Sequence, residues 1–93
     1  MILEALVTKY LNSADQVLSQ MQLANDELTV EKTDIAKVVD SARAYLADAK
    51  YYKAQKRLET SLTSVAYCEG LLDALKLLGA VKFELPANPI NEK

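Results

Sequence analysis

Ala49-Lys50-Tyr51-Tyr52-Lys53-Ala54-Gln55-Lys56-Arg57-Leu58 is the stretch that decides the fold. No glycine or proline lies between Thr33 and Gly70, so local preference alone permits one helix from Thr33 to Gly79. The phase of the apolar residues argues otherwise. Before this stretch they fall at Ile35, Val38, Val39, Ala42, Tyr45, Leu46, Ala49 and Tyr52, the spacing of one helical face. Continued without a break, that face would next collect Lys56, Glu59 and Thr63. The apolar residues instead fall at Leu58, Leu62, Val65, Cys68, Leu72 and Leu75. The slip is two residues, and two steps of about 100° turn a stripe to roughly the opposite side of a helix. A tight turn between Lys53 and Arg57 is therefore expected, with a second helix over 33–53 and a third over 57–78. An unbroken rod would force the apolar faces to pair between molecules.

Working outward, Thr33 followed by Asp34 reads as a helix start with a carboxylate in the first turn. Gly79 suits the left-handed conformation that ends a helix, and Lys76 complements the dipole in the last turn. Upstream, Leu3, Val7, Tyr10, Ala14, Val17, Met21, Ala24 and Leu28 alternate at steps of four and three, which predicts an amphipathic helix over 2–28. Leu6, Leu11 and Leu18 widen its stripe enough to meet two neighbours rather than one, favouring a bundle over a paired coil. Downstream, Val81, Phe83 and Leu85 alternate as in an extended segment. The expected architecture is all-α: an antiparallel three-helix bundle over 1–79 and an extended C-terminal tail over 80–93. The tail should lay Phe83 or Leu85 on the bundle and fray from Pro86 to Lys93.

Composition agrees with helices and narrows the functions. Among 93 residues, 51% are hydrophobic and only two are glycine and two proline, enough for one domain and little for hairpin turns. Thirteen acidic and eleven basic residues give a net charge of −2, too balanced to steer nucleic acid as a principal partner. One cysteine cannot form an internal disulfide, and Glu4 interrupts the short apolar start, so no signal peptide is read. No apolar run approaches the ~20 residues needed to span a bilayer. A soluble cytoplasmic protein without membrane partners is expected.

Ala44-Tyr45-Leu46-Ala47-Asp48-Ala49-Lys50-Tyr51-Tyr52, then Ala66-Tyr67-Cys68-Glu69-Gly70-Leu71-Leu72-Asp73-Ala74-Leu75 and Leu77-Leu78-Gly79, resemble an archaeal family of small three-helix proteins known as a domain of unknown function, the DUF 357 type. The resemblance covers about the C-terminal half of the chain. It implies a compact three-helix bundle and brings no established activity. Members of that family tend to carry a glycine in the turn between these helices, where this chain has Ala54-Gln55-Lys56-Arg57.

The candidate sites are few. Asp48, Glu69 and Asp73 are the carboxylates nearest the touching faces of the second and third helices, and Glu69 and Asp73 stand one turn apart. Convergent oxygens could hold a hard cation. A carboxylate-bridged di-iron centre would need histidine on two helices, and the chain has none. The competing reading is structural. Folding the chain back about Gln55 puts Arg43 level with Glu69 and Lys37 level with Asp73 as rim ion pairs, with Asp48 near the Thr63 and Ser64 hydroxyls. Tyr45, Tyr52 and Tyr67 point to one interhelical region and could stack on a flat ligand or simply pack the core. Gly70 in mid-helix calls for a compensating close approach, by the Tyr45 or Tyr10 ring. Lys50, Lys53, Lys56 and Arg57 form one basic cluster that could meet phosphates, or could serve as dipole compensation. Cys68 lies in the seam as an inert thiol. No catalytic, cofactor or metal residue is assigned.

These features point to a non-enzymatic module that binds a protein partner or itself. The alternatives are a small-ligand or cation site at Tyr45, Asp48, Tyr52, Tyr67, Glu69 and Asp73, and a nucleic-acid adjunct at the basic cluster.

Overall fold

A computed structural model describes residues 2–24 and 27–85. Three helices follow in order: α1 (Ile2–Gln20), α2 (Lys32–Ala54) and α3 (Leu58–Leu77). The fold is all-α, and no strand occurs among the described residues.

The register change does reverse the chain. α2 ends at Ala54 and α3 begins at Leu58, and the two helices pack together as an antiparallel hairpin. Its buried seam is made of Ala42 and Ala49 from α2 and Cys68 from α3, all small, with the larger Leu75 of α3 filling the end away from the turn. Ala42 and Ala49 lie seven residues apart, as do Ser61, Cys68 and Leu75. That repeat keeps short side chains on one line and lets the backbones approach closely. The Ser61 hydroxyl donates to the Ala49 carbonyl oxygen across the seam at 2.7 Å. Ser61 thus faces α2, with Thr60 and Ser64 half-buried beside it, while Leu58 and Leu62, expected in the seam, are exposed on its flank.

The turn is built without glycine. The Arg57 amide donates to the Tyr52 carbonyl and the Lys56 amide to the Lys53 carbonyl, at 2.9 and 3.0 Å. This is the paired-bond C-terminal motif that normally wants glycine at its left-handed position. Here Lys56 occupies that position with φ 64°. The end of α3 repeats the motif with glycine. Gly79 has φ 76° and donates to the Lys76 carbonyl, while the Ala80 amide donates to that of Leu75. The apolar contact that often accompanies the motif is replaced at α2 by the Arg57 guanidinium, 4.9 Å above the Tyr52 ring.

α2 starts one residue earlier than Thr33 would set it, with Glu31 as its N-cap. Asp34 accepts a bond from the Glu31 amide at 3.1 Å, the reach-back half of a capping box. Thr33 therefore lies inside the first turn, and Asp34, not Thr33, is the residue that secures it.

α1 departs furthest from expectation. It stops at Gln20 instead of continuing to Leu28, and none of its residues is buried. The apolar period alone cannot extend a helix whose stripe has no cover, and Asn25-Asp26 and Thr29-Val30 are poor helix formers. An open cleft of about 440 Å³ beside Leu3, Leu6, Val7, Tyr10 and Leu11 has a single hairpin residue, Thr63, on its wall. The stripe identified the apolar face of α1 correctly. In the single chain that face is not packed against α2 or α3.

Beyond Gly79 the chain carries neither helix nor strand as far as Leu85. Phe83 is half-buried with the Lys76 ammonium 4.7 Å over its ring, whereas Leu85 is exposed. The expected fraying from Pro86 to Lys93 lies outside the described residues.

Candidate functional site

Five of the six residues of the tyrosine–carboxylate cluster fall in three separate places. Tyr45 on α2 and Tyr67 on α3 stack with ring centroids 4.3 Å apart and 12° between planes. Each ring is the other's partner, so the stack ties the helices together instead of leaving a slot between the rings. Tyr52 turns to the hairpin tip, edge-on to Tyr51 at 5.4 Å and beneath Arg57. Glu69 and Asp73 line a small groove of about 110 Å³ with Leu72, Phe83 and Leu85, on the flank where the tail crosses α3.

Asp48, the sixth, is exposed and joins none of the three. Among the described residues no group of three or more histidine, cysteine, aspartate or glutamate side chains is placed to hold a metal ion.

The expected rim ion pairs do not form. Arg43 bonds Asp40 on its own helix at 3.4 Å, both side chains about three-quarters exposed, and this is the sole salt bridge among the described residues. Arg43 does not reach Glu69, because a neighbour three residues away on the same helix is met without bridging two helices, and Lys37–Asp73 does not close either. Nor do Thr63 and Ser64 donate to Asp48. Thr63 donates to the Glu59 carbonyl on its own helix, and the cross-helix hydroxyl is that of Ser61. Gly70 has no aromatic neighbour either: a Cβ built there meets nothing within 4 Å.

Lys50, Lys53, Lys56 and Arg57 are all exposed near the hairpin tip. Lys56 and Arg57 open onto a shallow surface with Leu58, Glu59 and Thr60. Arg57 is already engaged with Tyr52, and the left-handed Lys56 has a backbone role. No described helix is long and apolar enough to cross a membrane.

Two apolar surfaces are more extensive than any polar cluster. The first is the α1 face, where Leu3, Val7, Tyr10, Leu11, Val17 and Leu18 are each 50–66% exposed. The second runs along one flank of the hairpin, where Leu46, Leu58 and Leu62 are exposed and Val39, Val65 and Leu72 half-buried. A further apolar groove of about 370 Å³ lies at the other end of the hairpin, lined by Val30, Ile35, Val38, Leu75, Leu78 and Ala80, with Asp34 at its edge. Contiguous apolar faces of this kind mark places where another surface docks. Sequence reasoning supplied the residues of the first two surfaces as core positions. Periodicity reports which face is apolar and not what covers it.

A family model described as "Protein of unknown function (DUF357)" matches residues 9–81. The chain belongs to the DUF357 family. The match reaches back from the hairpin to Lys9, so most of α1, and not the C-terminal half alone, is part of the DUF357 pattern. No curated protein matches the chain, and no solved structure does.

Proposed function

We propose that this DUF357 protein is a non-enzymatic protein-interaction module that works through its apolar helical faces. The observation that carries the reading is α1: a 19-residue amphipathic helix with no buried residue. A helix of that length is marginal alone in water and draws its stability from covering its apolar face. The resemblance to archaeal proteins and the single cysteine support a setting in the archaeal cytoplasm.

The test is photo-cross-linking of the full chain under native conditions, with the reactive group at Ala14 on α1 or at Ala66 on α3. Protein adducts that vanish in Leu11→Glu and Leu62→Glu variants are expected. A chain that forms no protein adduct from either position refutes the reading.

Two other readings have less support. A flat ligand would have to displace one ring of the Tyr45–Tyr67 stack, and the carboxylates offer a cation no convergent set. Phosphate binding would rest on Lys50, Lys53 and Lys56, since the Arg57 guanidinium already lies over the Tyr52 ring. Three exposed lysines make a small electrostatic footprint.

A further inference from the structure

We infer that the partner of the α1 face is a second copy of this chain, and that two chains exchange α1 helices reciprocally, each seated on the other's Leu46–Leu62 flank. The inference rests on the interaction-module reading and names its partner.

The first support is complementarity of form. One chain carries both an uncovered helix and a two-helix flank lacking a third helix, and packs neither against the other. α1 and α3 are nearly equal in length, 19 and 20 residues. A third helix laid between α2 and α3 on this flank would bury Leu46, Leu58 and Leu62 together with the α1 leucines. Reciprocal exchange about a twofold axis satisfies both chains and closes the assembly, because the same surfaces meet twice.

The second support is charge. Arg43 and Lys50 follow the α2 edge of the flank, seven residues apart, and Glu69 and Asp73 follow its α3 edge, which they share with Phe83 and Leu85 of the tail and with the Lys76 ammonium over Phe83. On α1, Glu4 and Asp15 are eleven residues apart, about three turns, and so share one edge of the apolar face. Lys9 lies on the other edge. Helix handedness then fixes the direction of seating. With α1 antiparallel to α2, its acidic edge runs along Lys50 and Arg43, and Lys9 faces the Glu69–Asp73 edge. With α1 parallel to α2, like charges meet on both edges. The charges therefore select the up-down-up order of a three-helix bundle, with α1 supplied in trans.

The test uses the full chain in sedimentation equilibrium, and then a mixture of two variants. The wild type is expected at twice the 10.3 kDa chain mass. Leu11→Glu, which spoils α1, and Leu62→Glu, which spoils the flank, should each run as monomers that remain helical by circular dichroism. Mixed in equal amounts, they should recover a dimer, since one intact α1 and one intact flank still meet. Lys50→Glu should weaken the dimer at least tenfold, and adding Glu4→Lys should restore most of the loss.

A wild-type chain that is monomeric at all concentrations overturns the exchange. A dimer whose two variants fail to complement also overturns it. In either case the interaction-module reading stands or falls separately, on the protein adducts named above.

Discussion

The Ser61 hydroxyl donates to the Ala49 carbonyl oxygen, 2.7 Å away, and joins α3 to α2 directly across their seam. A hydroxyl reaches a carbonyl of the neighbouring helix only if the side chains between the two backbones are small, and Ala42, Ala49 and Cys68 meet that condition.

Ser61→Ala is expected to cost about 0.5–1.5 kcal/mol, the net worth of one hydrogen bond. Ser61→Leu should cost more, about 1–3 kcal/mol, because it overpacks the seam. Urea denaturation followed by circular dichroism measures both. A Leu variant as stable as the Ala variant would show that the helices are not held at close range.

Lys56→Gly should stabilise the protein by about 0.5–1 kcal/mol, because a left-handed φ strains any side chain with a Cβ. Lys56→Asn should fall between the two, and Lys56→Val should destabilise by about 1–2 kcal/mol as a β-branched residue in that region. The ranking Gly, Asn, Lys, Val in thermal midpoint checks the backbone role of the residue.

Gly70→Ala should raise stability by about 1 kcal/mol, the propensity difference in a helix interior, since the added methyl enters open space. The same denaturation curves report it. A loss of stability would mean that something approaches Gly70 closely in solution.

Cys68 is 5% exposed, so thiol reagents should modify it slowly in the folded protein and rapidly in urea. Leu75→Ala, at the other buried α3 position, should cost about 2–5 kcal/mol and accelerate Cys68 modification in the absence of denaturant. Timed labelling followed by mass spectrometry measures the two rates.

The hairpin was legible because its signal was a phase change, and phase is set by every apolar residue on both sides of Gln55 together. The side-chain pairs were not. Arg43 could pair locally with Asp40 or across to Glu69, and for exposed charges those options differ by less than the energy of one surface ion pair. Serine and threonine read as polar, so apolar periodicity does not put Ser61 in the seam. The signal that would have found it is the seven-residue spacing of small residues, Ala42 to Ala49 and Ser61 to Cys68. The turn position of Lys56 had no sequence signal, since lysine carries no preference for positive φ. Helical spacing places Glu69 and Asp73 side by side but says nothing of Asp48 on another helix.

The junction at Gln55 also orders events in time. Residues that meet in the hairpin lie near one another along the chain around a three-residue connection, and such short-range pairings close quickly, in microseconds to milliseconds. α1, though it leaves the ribosome before the hairpin does, has nothing to settle on until that closure is complete. Its leucines therefore meet water and neighbouring nascent chains first. Stopped-flow refolding in which the fast phase ignores protein concentration while a slower phase accelerates with it would record this sequence.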